Sequence, residues 1–226
     1  MTEYKSRSQS ETIALFRSGK NYRHALGFLA KMNDYKREED RGTIQYYNKK
    51  IRKEFRVGRD ADYNVFWLDS DNKNKPIHNG KFMYVVSRTG RLYLTADAVT
   101  HSQIKAGKDV QCAGHLIIKD KKIIDINNSS GHYTPTSSMF LTCINGLVAE
   151  GYLGPQFIVL FDKFTIFDDE NKFDEKFSKE IKYRVTHNKK EESFNFETDS
   201  TSSQIKQALL EGILENKTAL VRPSSI

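Results

Sequence analysis

Two short stretches of this sequence combine residue types that can bind a nucleotide. His101-Ser102 precedes a glycine-containing loop, and His132-Tyr133 closes a turn that contains Gly131. A histidine can donate to ribose or phosphate oxygens or act as an acid or base, and a tyrosine can stack on a planar ring and offer its hydroxyl. If the fold brings both pairs to one pocket, they form parts of a nucleotide site.

A structural alternative explains the same turn without a ligand. Ser130, Gly131 and His132 would then form a turn whose side chains hydrogen-bond the backbone, while Tyr133 fills the core and Pro135 ends the strand. The sequence does not choose between the two. For any one of these residues the structural role is the commoner one, but a polar His-Tyr pair beside glycine is costly if it only stabilises a turn. Under either hypothesis, we expect Gly131 to hold a backbone conformation that a Cβ would strain.

Missing motifs disfavour several enzyme classes. The chain has no GxGxxG, GxxxxGK[ST], GxSxG or HExxH, which argues against Rossmann dehydrogenases, P-loop NTPases, ordinary serine hydrolases and zincins. Cys112 and Cys143 lie in apolar stretches without CxxC spacing, so we expect two buried free thiols and no disulfide, zinc site or cysteine nucleophile. No two histidines have the spacing of a helical metal pair, and we expect no metal.

Composition indicates a folded chain without a membrane span. With 226 residues, 12% aromatic and 38% hydrophobic, it can bury one good core. No run approaches the roughly 18 apolar residues that cross a bilayer, and Met1–Ser10 has no apolar signal core. We therefore expect no signal peptide and a cytoplasmic protein, or one that reaches a host cytosol through a specialised secretion system.

The net charge of +7 is concentrated near the N-terminus. Lys and Arg outnumber Asp and Glu by 15 to 8 in residues 1–60, whereas residues 61–226 contain 21 of each. Helical spacing of apolar residues over 11–33 and 45–55 predicts a basic helical N-terminal arm, 1–60, before a mixed domain, 61–226. A solvated helix face is the commoner role of such an arm; calmodulin or another acidic protein, an anionic lipid or, less favoured, nucleic acid are alternatives.

From Tyr63 onward, short β-type runs alternate with turn residues, which predicts a meandering antiparallel sheet. Arg88-Thr89-Gly90 and Asp120-Lys121 are the predicted hairpin turns, and 72–76 is a predicted loop. Trp67 is expected in the core. The predicted strands are Val65–Leu68, Lys81–Ser87, Arg91–Thr95, Val110–Cys112, His115–Lys119 and Lys122–Ile126.

The remaining elements complete an α+β fold. A helix over 137–150, capped by Thr136 or Ser137, precedes predicted strands Phe157–Phe161 and Phe164–Phe167. A final amphipathic helix is predicted from Ser202 or Ser203 through Glu215. The expected fold class is therefore α+β, with an antiparallel, partly split β-sheet, flanking helices and the basic helical N-terminal arm.

Several short words of the sequence, in this order and spacing, resemble a known family. They are Asn64–Asp69, Lys81–Ser87, Leu92-Tyr93, His101-Ser102, Ala106-Gly107, Ala113-Gly114 and Ser130–Thr136. Together they resemble the C-terminal region of the plant calmodulin-binding proteins of the IQM type and their fungal and bacterial relatives, some of them effector-like. The resemblance covers about residues 63–140. It departs at Gln103, Ile104 and Lys105, where the family continues with a serine, an aromatic residue and two glycines.

A degenerate IQ-like string precedes this region. Ile44-Gln45 is followed by Lys49-Lys50 and Lys53, with Lys50 at the position of the usual glycine. The resemblance therefore implies a non-catalytic binding module that engages calmodulin or another acidic host protein through residues 11–56.

The layout is also similar to one branch of the ADP-ribosyltransferases, which hold NAD in the cleft of a split sheet. There a histidine followed by a small polar residue on an early strand, and a tyrosine on a later one, grip NAD. The likeness implies an effector-like bacterial protein that modifies a eukaryotic host protein, with NAD bound by His101, Ser102, Gly131, His132 and Tyr133. The implied catalytic residues are His101, Tyr133 and Glu150, with Asp168, Asp169 or Glu170 as alternatives for the acid.

Overall fold

The computed structural model describes residues 9–18, 46–69, 73–96, 98, 100–131, 133–161, 181–188 and 193–198. Several predictions fall outside these residues: the rest of the first helix, the strand Phe164–Phe167, the final helix through Glu215, the string start Ile44-Gln45, His132, and the acids Asp168–Glu170.

The described part of the chain contains four helices and ten strands. The helices are α1 (Gln9–Ser18), α2 (Lys49–Glu54), α3 (His101–Lys105) and α4 (Ser137–Ala149). The strands are β1 (Val57–Arg59), β2 (Val65–Leu68), β3 (Asn74–Pro76), β4 (Gly80–Ser87), β5 (Leu92–Thr95), β6 (Val110–Lys119), β7 (Lys122–Asn127), β8 (Leu153–Phe161), β9 (Ile181–Asn188) and β10 (Ser193–Thr198).

The strands form two sheets. Seven of them pair in the order β10-β9-β8-β7-β6-β4-β5, and β1-β2-β3 form a smaller sheet. Neighbours are antiparallel except β7 and β8, which run parallel. A parallel pair needs a long crossover connection, and α4 lies within the one from β7 to β8. The α+β class is confirmed. The sheet departs from a simple meander at this pair and also at β4, which lies between β5 and β6.

Both predicted hairpin turns are confirmed. At the turn from β4 to β5, Gly90 has φ 73° and its N–H donates to the Ser87 carbonyl over 2.9 Å. At the turn from β6 to β7, Asp120 and Lys121 have φ 50° and 65°. Two successive positive φ values are typical of the tight turns that match the right-handed twist of paired strands.

Helix α4 begins and packs as its sequence predicts. Thr136, rather than Ser137, is the cap, because its Oγ1 accepts a hydrogen bond from the Met139 N–H over 3.3 Å. Cys143 on this helix and Cys112 on β6 are both buried and free, as predicted. Burial raises the pKa of the Cys143 thiol, which disfavours the reactive thiolate.

The part of the large sheet around β4 is buried on both faces. Alternate residues of β4 point to opposite sides. Tyr84 and Val86 belong to the main core with α4, whereas Val85 joins a smaller core cluster with Ile104 of α3 and with Tyr133. Helix α4 therefore covers one face, and α3 with the Tyr133 turn covers the other.

Helix α1 contacts the α4 side of the sheet through the aromatic ring of Phe16, among other side chains. Phe16 is 2% exposed and lies between Gly90 and Gly146; a Cβ at Gly90 would come within 2.8 Å of the Phe16 ring, and a Cβ at Gly146 would overlap it. The Gln111 amide donates to the Phe16 carbonyl and, over 2.8 Å, to the Arg88 carbonyl. Gly90 and Gly146 thus leave the space that the Phe16 ring of the N-terminal segment fills.

Some predictions for individual elements were wrong. Val110–Cys112 and His115–Lys119 are one continuous strand, β6, and His101 begins a helix that the sequence analysis did not predict. Residues 74–76 form strand β3 instead of a loop. Trp67 is only half-buried and packs at the margin of the main core. In each case the outcome depends on a neighbouring element that local sequence does not specify.

Candidate functional site

Helix α3 presents the first predicted pair, His101 and Ser102. It starts after extended Thr100 and ends at Ala106, whose φ of 51° is left-handed. His101 is buried, and its Nε2 lies 2.8 Å from the Gly114 carbonyl oxygen. Because a carbonyl only accepts, Nε2 carries the proton. Ser102 is fully buried, with its Oγ 3.0 Å from the Thr100 hydroxyl.

The His101 ring also contacts a second histidine. His115, on β6, stands edge-to-face with it at a centroid distance of 5.1 Å and an interplanar angle of 78°. The sequence analysis missed this pair, because 14 positions separate the two residues and only the docking of α3 on the sheet brings them together. An imidazole held by a backbone carbonyl and a neighbouring ring is fixed in orientation.

Tyr133 is positioned by the turn that precedes it. Its N–H bonds the Ser130 Oγ over 3.3 Å, and the Thr134 N–H donates to the Ser130 carbonyl over 2.8 Å. The ring is 4% exposed within the smaller core cluster, and the hydroxyl donates to the Lys108 carbonyl over 2.9 Å. These contacts fit the structural alternative for the turn, in which Ser130 bonds the backbone and Tyr133 fills the core.

The expectation for Gly131 was wrong. Its φ lies outside the left-handed region, and a Cβ built there meets nothing within 4 Å. The strained residue of the turn is Thr134, with φ 38°. His132, the remaining residue of the predicted NAD-binding set, lies outside the described residues.

Glu150 lies on the α4 side of the sheet, not beside the predicted histidine and tyrosine. Glu150 follows the end of α4, and its carboxylate accepts hydrogen bonds from Nε and Nη2 of Arg17, Nη2 to Oε2 being 2.7 Å. Arg59 Nη2 lies 3.8 Å from the same carboxylate. The hydrogen bonds that Arg17 donates to Glu150 raise the pKa of Arg17. The Glu150 side chain is 6% exposed, so this pairing compensates a buried charge. The structure thus groups α3 with the Tyr133 turn and leaves Glu150 apart.

A group of cations that the sequence analysis missed lies beside α3. Lys105 Nζ sits 4.7 Å from the centre of the Tyr93 ring, and Arg52 Nη1 donates to the Lys105 carbonyl over 3.1 Å. Burial, followed by repulsion from Arg52, Lys108 and Arg91, lowers the pKa of Lys105 to about 8. These four residues, here called the basic cluster, hold like charges close together, an arrangement that is stabilised by a bound anion.

Helix α2 extends this positive surface. Its cap Asn48 accepts from the Lys50 and Ile51 N–H groups over 2.8 and 3.1 Å, and Lys49, Lys50 and Lys53 are exposed. Backbone bonds on either side hold the helix against the domain: Tyr47 N–H to the Gln103 carbonyl, and Leu94 N–H to the Phe55 carbonyl, both 3.0 Å. The lysines of the IQ-like string are therefore displayed on a fixed helix.

The family comparison bears on the segment that contains this site. Residues 62–140 match the IQ motif-containing protein middle domain. This confirms the resemblance for that segment, with nearly the expected boundaries, and assigns it to a middle domain rather than to the C-terminal region. The matched segment includes α3, the Tyr133 turn and three members of the basic cluster, Arg91, Lys105 and Lys108. Helix α2 lies upstream of it, with β1 in between. Neither the comparison with curated proteins nor that with solved structures found a match.

None of the helices in the described ranges is long and apolar enough to cross a membrane.

Proposed function

We propose that this protein is a binding module that engages an acidic protein partner, calmodulin being the first to test, through α2 and the basic cluster. The observation that carries the proposal is the fixed, exposed display of α2 lysines directly before an IQ motif-containing protein middle domain. IQ-like strings place basic residues at helical spacing, and Lys49, Lys50 and Lys53 are exposed on α2.

Electrostatics favours an acidic partner at this surface. Arg52 on α2 and Lys105 and Lys108 beside it add positive charge, and their mutual repulsion is relieved when carboxylates approach. Complementary charge speeds association and fixes orientation, and both effects weaken as salt shortens the screening length.

The apolar side of α2 limits the binding mode. Phe55 packs on the smaller core cluster and stacks on Tyr47 with ring centroids 4.9 Å apart. Helix-in-groove recognition needs an exposed apolar face. Docked α2 therefore offers charge contacts, and engagement of Phe55 by a calmodulin groove would require α2 to leave the domain.

The test uses the whole protein and two matched charge reversals. Lys50→Glu/Lys53→Glu alters α2, and Lys119→Glu/Lys122→Glu makes the same change in net charge at the exposed β6–β7 hairpin. Binding of calcium-loaded calmodulin is measured by calorimetry at low and physiological salt. We expect the α2 variant to lose about three- to tenfold in affinity and the hairpin variant less than about twofold.

Two results would count against the proposal. Equal losses in both variants would mean that only total charge matters. Absence of binding at low salt would remove calmodulin as the partner, and the same pair of variants would then be compared on another acidic protein.

No contact among the described residues favours a second function. ADP-ribosyl transfer with NAD, an effector role toward a host protein, and delivery into a host cytosol remain predictions from the sequence. Their direct test is NAD consumption by the purified protein in the presence of eukaryotic cell lysate.

A further inference from the structure

A cavity of about 430 Å³ opens between the small sheet and strands β4 and β5, and the end of α2 forms part of its rim. This volume is in the range of pockets that bind small molecules. Its walls come from the end of α2, from β2 and β3, and from the segment around β4. The residues that matter most are Glu54, Phe55, Trp67, Asp69, His78 and Phe82, with Lys75 at the edge.

Aromatic rings form most of the wall. Phe82 is buried at the centre, with the Trp67 ring edge-to-face at 6.1 Å and 73° and the His78 ring tilted at 5.0 Å. Trp67 and Phe55 are half-buried and His78 is exposed, so ring surface remains accessible at the opening. The faces of aromatic rings carry partial negative charge and attract cations within about 6 Å.

The ionisable groups of the cavity add to that preference. Glu54 is an exposed carboxylate, and Asp69 is fixed because its Oδ1 accepts from the Lys73 N–H over 2.7 Å. Lys75 Nζ lies 3.9 Å from Asp69 Oδ2 on a side chain that is 65% exposed. Among the side chains that line the cavity, two are carboxylates and one is an ammonium.

We propose that this cavity binds a small organic cation that carries a methylated ammonium group. Such a group spreads its charge over apolar methyls and donates few hydrogen bonds, so it loses less hydration against aromatic walls than a primary ammonium does. An anion would meet two carboxylates and the negative faces of the rings. None of the four residues of the basic cluster lines the cavity, and the proposal does not depend on the acidic partner.

The sequence supplies its own reporter, since Trp67 is the only tryptophan of the chain. The intact protein is titrated with choline and, in parallel, with dimethylbutanol, the isostere that has a carbon in place of the nitrogen. Tryptophan fluorescence and calorimetry both follow binding, at constant ionic strength. We expect saturable binding of choline, about five- to thirtyfold tighter than that of the uncharged isostere.

Two substitutions at the rim predict opposite shifts. Glu54→Gln should weaken choline binding and Lys75→Gln should strengthen it, each by about two- to fivefold, because each changes one rim charge. Arg88→Gln, in the exposed β4–β5 turn at the opposite end of β4 from Phe82, is the control and should leave the affinity unchanged. All three positions are exposed, so the variants should fold.

Equal affinity for choline and dimethylbutanol would overturn the proposal, because the cavity would then be only an apolar pocket. Lack of a saturable signal by both methods would also overturn it. Failure here leaves the calmodulin test untouched, because that test probes α2 lysines and not the cavity.

Discussion

Tyr133 fills the smaller core cluster with its ring and reaches a backbone carbonyl with its hydroxyl, so two substitutions at this position separate its contributions. Tyr133→Phe keeps the ring and removes one hydrogen bond to the Lys108 carbonyl, 2.9 Å long, which should cost about 0.5–1.5 kcal/mol. Tyr133→Ala also removes a ring that is 4% exposed and should cost about 3–5 kcal/mol, as truncation of core aromatics does.

Both variants are measured by thermal unfolding and by urea titration. For a chain of this size, 1 kcal/mol corresponds to about 2–4 °C in Tm, so Tyr133→Ala should melt about 6–20 °C below the native protein and Tyr133→Phe only a few degrees below it. The same samples are tested for NAD binding.

A stable Tyr133→Ala protein would refute this reasoning. If its Tm were within about 2 °C of the native value and only NAD binding were lost, the ring would be stacking on a ligand rather than filling a core. The hypothesis of an NAD site at His101 and Tyr133 would then gain the evidence it lacks.

Three further predictions follow from other contacts. Phe16→Ala should cost about 3–5 kcal/mol in urea titration, and Gly146→Ala should release α1 because the added Cβ overlaps the Phe16 ring; protection of α1 amides from hydrogen exchange would then fall. The pKa of Lys105 is lowered from 10.5 to about 8 in the folded protein, so between these values the unfolded chain binds more protons. Charged Lys105 therefore destabilises the fold most below about pH 8, and this cost disappears as the pH rises toward 10.5. The stability gain of Lys105→Met should be largest below about pH 8 and shrink toward pH 10.5. Gly131→Ala should change stability by less than about 0.5 kcal/mol, whereas Gly90→Ala, at φ 73° and against Phe16, should destabilise by more than about 1 kcal/mol.

Each of these has a contrary result. If the α1 amides of Gly146→Ala were still protected from hydrogen exchange, packing of Phe16 against Gly146 would not be what holds the helix. A stability gain for Lys105→Met that does not vary with pH would separate the effect from protonation. Equal melting temperatures of Gly131→Ala and Gly90→Ala would show that the packing of Phe16 against Gly90 tolerates a Cβ.

Local patterns in the sequence were enough for most of the regular structure of the described core. Short apolar runs bounded by turn residues indicated β2, β4, β5 and β7 nearly to the residue, because such runs are typical of buried strands. The turns at Gly90 and at Asp120-Lys121 were equally readable, since few residue types accept positive φ. Helix α4 could be predicted for the same reason, from its cap and its local sequence. The resemblance over residues 62–140 was likewise visible in the sequence alone.

Contacts between distant parts of the chain decided the candidate sites. His115 reaches His101 only because α3 docks on β6, and Arg52 reaches Lys105 only because α2 docks on α3. Glu150 could not be assigned a face from sequence, since the parallel pairing of β8 beside β7 fixes where α4 lies. The sequence by itself determined the segments that become strands, turns and helices, because those depend on neighbouring residues. Which charged and aromatic side chains share a surface was decided by tertiary packing, because burial joins residues without regard to their separation along the chain.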